Sequence, residues 1–193
     1  MRAAAIIPTL FLSSLAFSSA VLAECSIDKS PKKLSLDEVN SYYECAREEL
    51  VKGYQSGDNE LAKKYTSWKA GATGPGKVPG IHASRYLMTY INDIGHSTYV
   101  AYAPSGVNFP VGTIVAKESF KIKKGGKLKA GPLFLMEKVG LEKAPKADGW
   151  FYSVVNADGG DKKISQAFCH GCHQVYKAQD AMGYPVEAVR IKN

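Results

Sequence analysis

The chain has 193 residues, of which 45% are hydrophobic, 22% are charged and 10% are aromatic. This composition is typical of a folded globular protein and excludes a disordered chain, a collagen-like repeat and a coiled coil. The formal net charge of +7 comes from scattered lysine and arginine residues. Because they form no basic block, the charge does not indicate nucleic acid as a partner.

Residues 1–23 have the pattern of a secretory signal peptide. Arg2 precedes an apolar run from Ile6 to Phe17, and Val21-Leu22-Ala23 offers small residues for cleavage. A membrane anchor is the competing interpretation, but the run is shorter than the roughly 20 residues that cross a bilayer. We therefore expect a periplasmic or secreted protein with no membrane span after cleavage.

Residues 24–60 are predicted to form an N-terminal helical extension. Ser35 to Glu38 matches a capping box, and apolar side chains recur at helical spacing from Leu36 to about Tyr54. Cys25 and Cys45 would lie in an oxidising compartment, where two cysteines most simply form a structural disulfide. A redox-active pair is the alternative, which their wide spacing disfavours.

The central part of the chain changes from helical to strand character. A second helical stretch, Asn59 to Lys69, ends at a segment rich in glycine and proline. Four segments rich in β-branched and aromatic residues follow, at Arg85–Ile91, Gly112–Lys121, Pro132–Val139 and Gly149–Val155. Short turns separate them, which favours antiparallel pairing. Because helical character returns from Ile164 to Asp180, the predicted fold class is α+β, a mostly antiparallel sheet with helices at both ends.

The C-x-x-C-H motif at residues 169–173 is the attachment signature of a c-type haem. Cys169 and Cys172, three positions apart on a helical turn, can form thioethers with one porphyrin, and His173 follows as the iron ligand. A thioredoxin-like motif would need a preceding βαβ unit, and a structural zinc site would need a distant second ligand pair. The sequence therefore predicts one covalently bound haem c.

The sequence offers no clear ligand for the side of the iron opposite His173. Met182 follows the motif too closely to reach the far face, and Met88 and Met136 are better explained as strand residues in the core. An open sixth position is therefore expected. Such a position is typical of haem proteins that bind or convert small molecules.

The chain resembles the cytochrome P-460 family from about Tyr65 to Tyr176. Several short segments in a fixed order carry the resemblance: Tyr65–Trp68, Thr89–Asp93, Phe109–Glu118, Gly149–Tyr152 and the late C-x-x-C-H. It implies an antiparallel sheet packed on a c-type haem, with residues 61–193 as the haem domain. Lys117 matches the lysine that P-460-type members join covalently to the porphyrin. The alternative for Lys117 is an amine that reaches water.

The resemblance also implies an activity, the oxidation of hydroxylamine to nitrous oxide or nitrite. Such a reaction needs a proton relay, for which Glu142 and Glu137 are the candidates, with a solvated surface carboxylate as the alternative for each. Phe134 and Met136 are predicted to form the pocket wall. Arg85 is predicted to pair with a haem propionate.

Two other functions remain open from the sequence. The related cytochrome c′-β group shares the fold, lacks the lysine cross-link and binds nitric oxide or carbon monoxide in an apolar pocket, so the chain is either an enzyme or a gas-binding protein. An electron carrier would need a strong sixth ligand. The expected partners are a small nitrogen-containing ligand or substrate and a soluble redox protein, and a homodimer is compatible with the sequence.

Overall fold

An antiparallel sheet of six strands forms the centre of the computed structural model, which describes residues 25, 27 and 29–192. The predicted signal peptide lies outside these residues. The strands are β1 (Lys69–Ala70), β2 (Tyr86–Ile91), β3 (Ile114–Ile122), β4 (Leu128–Ala130), β5 (Leu133–Lys138) and β6 (Trp150–Val155). They are arranged in the order β1-β2-β3-β5-β6, and β4 pairs with the far end of β3. The antiparallel sheet and its flanking helices confirm the predicted α+β class.

The helices lie before, within and after the sheet in the chain. They are α1 (Leu36–Tyr54), α2 (Glu60–Lys64), α3 (Asp93–Val100) and α4 (Gln166–His173), and 3-10 turns follow α2 and α4 at Tyr65–Ser67 and Gln174–Gln179. Among the described residues, none of the helices combines the length and apolar character needed to cross a membrane.

Helix α1 begins as the sequence predicts. The Ser35 hydroxyl accepts a hydrogen bond from the Glu38 amide, and the Glu38 carboxylate accepts one from the Ser35 amide, which completes a capping box. A disulfide joins Cys25 to Cys45 with a Cα–Cα distance of 5.9 Å, so the segment before the helix is fastened to it. The buried side of α1 packs on one face of the sheet in a shared apolar core.

A buried carboxylate ties α1 to the sheet. Glu118 in β3 is fully buried and accepts hydrogen bonds from the Tyr43 hydroxyl at 2.6 Å and the Tyr65 hydroxyl at 2.9 Å. The Arg47 guanidinium lies 3.5 Å from the same carboxylate. Burial raises the pKa of Glu118, and these hydrogen bonds and the positive charge oppose that rise. The cluster fixes α1 against the centre of β3.

Three elements differ from the sequence-based prediction. The second helical stretch ends before Lys69, because Lys69–Ala70 pairs with the end of β2. Helix α3 was not predicted; Asn92 caps it by accepting a hydrogen bond from the Gly95 amide at 3.3 Å. The short strand β4 was also missed, since only its pairing with β3 distinguishes it from a turn.

Candidate haem site

A cavity of about 490 Å³ lies on the face of the sheet opposite α1. Cross-strand pairing places Thr89, Lys117 and Phe134 side by side on this face, with Val115 next to Met136 along the same strands. The loop before β2, helix α4 and residues 183–186 close the other sides. The cavity is therefore walled by the sheet on one side and by the C-x-x-C-H segment on another.

Helix α4 is held against β6 at its first turn. The Ser165 hydroxyl caps the helix by accepting from the Phe168 amide. The Gln166 side chain accepts from the Tyr152 amide at 2.8 Å and donates to the Tyr152 carbonyl at 2.7 Å. This two-point attachment brings Cys169 and Cys172, both free thiols, to the cavity wall.

His173 also lines the cavity, and its ring orientation is fixed. Its Nδ1 lies 2.8 Å from the carbonyl oxygen of Ala181. Because a carbonyl can only accept, Nδ1 carries the hydrogen, and the lone pair on Nε2 is left for a metal. Burial, and then the nearby charge of Lys117, lower the pKa of His173 to about 4. The ring is therefore neutral near pH 7, as iron ligation requires.

The segment that supplies the Ala181 carbonyl is itself anchored. Asp180 and Ala181 both have positive φ angles, 55° and 60°. The Asp180 carboxylate accepts from Lys138 Nζ at 2.6 Å and from the Phe109 amide at 2.8 Å. The Trp150 indole donates to the Asp180 carbonyl at 2.8 Å. These contacts hold the turn that orients His173.

Lys117 has its amine inside the same cavity. The residue is only 8% exposed, and Nζ donates to the Gly183 carbonyl at 2.8 Å. Burial lowers the pKa of Lys117 to about 8. No acidic side chain is present among the described residues that line the cavity, so no carboxylate there offsets this desolvation.

Arg85, Phe134 and Met136 all line the cavity, and their predicted roles toward a haem stay predictions. The Nε atom of Arg85 is buried and has no hydrogen-bond partner among the described residues, and the same holds for the Tyr184 hydroxyl. The Arg85 Nε atom lies beside Gly131, which does not line the cavity, so the nitrogen itself does not indicate a ligand. A guanidinium at the cavity wall still suits an anionic group such as a propionate.

Glu137 and Glu142 do not line the cavity. Glu137 pairs across the sheet with Ile114 and Phe151, on the face away from Met136, because side chains alternate along a strand. Glu142 lies in the turn after β5 and lines a separate surface depression that includes Lys138. The relay role of these two residues stays a prediction, and this placement gives it no support.

His82 is a cavity residue that the sequence analysis missed. Its ring centroid lies 4.2 Å from that of Phe134 and 6.2 Å from that of His173. Burial, followed by the charges of Lys117 and His173, lowers the pKa of His82 to about 3. The histidine count could have pointed to it, because the chain has four histidines and only two belong to the C-x-x-C-H motif.

The residues present fit a c-type haem. Two free thiols, one imidazole with a free Nε2, one guanidinium and a largely apolar wall meet around a single cavity. This is the donor set that thioether attachment, axial ligation and propionate binding require.

Comparisons with known proteins agree with this site. The chain matches the family model of Cytochrome P460 over residues 62–182, which include the whole sheet, Lys117 and the C-x-x-C-H motif. Helix α1 and the disulfide lie outside the match. A search of curated proteins gave no match. The family match confirms the resemblance seen in the sequence, and the chain therefore belongs to the cytochrome P460 family, which makes it a haem c cytochrome.

Proposed function

We propose that the protein is an exported cytochrome with one covalently bound haem that oxidises hydroxylamine or a related small nitrogen compound. The observation that carries this proposal is the position of Lys117, whose amine lies inside the cavity that His173 and the two free cysteines line. Lys117 is the residue that the resemblance assigns to the porphyrin cross-link of hydroxylamine-oxidising members. The signal-peptide pattern of residues 1–23 supports a periplasmic or secreted location.

Four residues would hold the haem. Cys169 and Cys172 would attach it, His173 would ligate the iron through Nε2, and Arg85 would pair with a propionate. When bound, the haem supplies the iron that accepts electrons from the substrate. The protein excludes water with its apolar walls and fixes the His173 ring through the Ala181 carbonyl.

The chemical state of Lys117 suits a covalent role. With a pKa of about 8, about a tenth of this amine is neutral at pH 7, compared with less than one part in a thousand for an ordinary lysine. Only the neutral amine is nucleophilic. The hydrogen bond to the Gly183 carbonyl holds the nitrogen at the cavity wall while one lone pair becomes available.

Protons released by the substrate meet nitrogen bases in this cavity rather than carboxylates. The titratable side chains that face the space between the sheet and α4 include Lys117 and His82. Glu137 and Glu142 lie outside it. A proton from the substrate would therefore pass to the Lys117 amine or to water at the cavity mouth, because a pKa of about 3 makes the His82 ring a poor base.

The test uses protein matured with its haem in a host competent for cytochrome c assembly. We expect a ferrous Soret band shifted strongly to the red, and reduction of an artificial electron acceptor that depends on hydroxylamine. Lys117→Leu should restore an ordinary c-type spectrum, while Lys162→Leu, which removes another lysine at the cavity edge, should not. An ordinary spectrum in the wild type would overturn the cross-link, and absence of turnover would overturn the activity.

The apolar character of the cavity wall favours a second function, the binding of nitric oxide or carbon monoxide. Phe134, Met136 and Val115 lie together on the sheet face, and no described acidic residue lines the cavity. This function predicts tight gas binding without hydroxylamine turnover, together with an ordinary c-type Soret band.

A further inference from the structure

His82 faces His173 across the cavity at a distance close to that between two imidazole ligands of one metal ion. Their ring centroids are 6.2 Å apart. Two imidazoles bound to opposite sides of one metal ion, each with its nitrogen about 2 Å from the metal, hold their centroids about 6 Å apart. A distal histidine that only hydrogen-bonds to an iron-bound ligand would need more room than this. The separation therefore matches direct ligation by both rings.

The ring of His82 is positioned but has no polar partner. It packs against the Phe134 ring at 4.2 Å between centroids, and both residues line the cavity. Among residues 29–192 and the two described residues before them, none hydrogen-bonds to the His82 ring nitrogens. An imidazole that packs in the apolar wall of the candidate haem cavity, with no hydrogen bond to the protein, keeps a ring lone pair for a metal.

The loop that carries His82 is strained in a way that fixes this side chain. Three successive non-glycine residues, His82, Ala83 and Ser84, have φ angles of 44°, 58° and 55°. The Ser84 hydroxyl closes the turn by accepting from the Gly80 amide at 2.9 Å. Left-handed backbone at alanine and serine is costly, and it concentrates at ligand clamps and switch regions.

We propose that His82 is the sixth ligand of the haem iron in the resting protein, opposite His173. This replaces the open position expected from the sequence. The proposal goes beyond hydroxylamine oxidation and does not depend on it, since it requires only the haem that the family membership implies. An external ligand or substrate then reaches the iron only when the Ile81–Ser84 turn moves His82 away.

Such an internal ligand has a measurable consequence. External ligands bind only to the fraction of molecules in which His82 is displaced. Their apparent dissociation constant therefore equals the intrinsic dissociation constant divided by that fraction. If the displaced fraction is about a tenth or less, removing His82 strengthens azide binding to the ferric protein at least tenfold.

The experiment compares ferric wild type, His82→Ala and His96→Ala by absorption and electron paramagnetic resonance at neutral pH. His96 is the matched control, because its imidazole hydrogen-bonds to the Ala70 carbonyl and does not line the cavity. We expect a low-spin spectrum with two imidazole ligands for the wild type and His96→Ala. His82→Ala should be high-spin, bind azide at least tenfold more tightly, and return to low-spin when imidazole is added.

A second variant keeps the test decisive if His82→Ala does not fold. His82→Met retains a long side chain and should give a low-spin spectrum with histidine and methionine ligands. A high-spin ferric wild type, or low-spin spectra that are identical in the wild type and both His82 variants, would overturn the proposal. If the wild type is low-spin but does not oxidise hydroxylamine, the result supports His82 as the ligand and overturns the proposed activity.

Discussion

Replacement of Asp180 tests how the turn after α4 supports the haem ligand. The Asp180 carboxylate and Lys138 form an ion pair at 2.6 Å, and their side chains are 11% and 9% exposed. Asp180 also accepts from the Phe109 amide, and the next carbonyl, of Ala181, orients His173. Asp180→Ala therefore leaves a buried ammonium without its counter-ion and loosens the turn that fixes His173.

The structure sets the magnitude of this effect. Removing one partner of a buried ion pair costs about 3–5 kcal/mol. Lys138 keeps a hydrogen bond to the Asp148 carbonyl at 2.9 Å and a position 5.0 Å from the centre of the Trp150 ring, so the lower end of that range applies. For a chain of this size, about 3 kcal/mol corresponds to a fall in Tm of roughly 6–12 °C.

The assay is thermal unfolding of the haem-loaded protein followed by circular dichroism. Two further variants sharpen it: Asp180→Asn keeps an acceptor for the Phe109 amide, and the double variant Asp180→Ala with Lys138→Met removes the unpaired charge. We expect Tm to fall most for Asp180→Ala and to recover in large part in the double variant. If Asp180→Ala lowers Tm by less than about 2 °C, or if the double variant is less stable than the single one, the reasoning is wrong.

Three further predictions concern the N-terminal part and the buried carboxylate. Burial raises the pKa of Glu118 in the folded protein above 4.5. The unfolding free energy of the wild type relative to Glu118→Gln should therefore fall as pH rises above 4.5. Thermal unfolding at several pH values measures this difference, and a rise with pH would contradict the prediction. Cys45→Ser opens the bond to Cys25, which spans 20 residues, and should lower the unfolding free energy by about 3 kcal/mol in denaturant titrations without changing the haem spectrum. Ser35→Ala removes the cap of α1 and should cost about 1 kcal/mol in the same titration, whereas Ser30→Ala should cost nothing measurable.

Local sequence signals predicted the helix start and the strand faces that are determined by residues close together in the chain. The capping box starts α1 at Leu36 as expected, and the alternation of β3 puts Lys117 on one face and Glu118 on the other. In β5, Phe134 and Met136 alternate onto the face that lines the cavity, and their role as the wall of a ligand pocket stays a prediction. These predictions succeed because capping hydrogen bonds within one turn, and the alternation of side chains along one strand, decide them.

The missed features depend on contacts between distant parts of the chain. His82 enters the cavity because a left-handed turn directs it there, and nothing in Ile81–Ser84 as a sequence specifies that turn. Glu142 follows a strand whose end leaves the cavity, so family-like spacing could not show where its carboxylate lies. The position of a loop side chain is set by its tertiary surroundings rather than by its own residues.

The central strand explains why one residue of register matters so much in this protein. Lys117 and Glu118 are neighbours in β3, both are buried, and they serve opposite faces: the amine lines the cavity and the carboxylate ties the sheet to α1. A shift of one position would place the carboxylate opposite the Gly183 carbonyl, where two acceptors would meet, and the amine beside the Arg47 guanidinium, where two positive charges would meet. The pairs that β3 forms with β2 and β5 therefore fix at once the chemistry of the cavity and the attachment of the N-terminal helix.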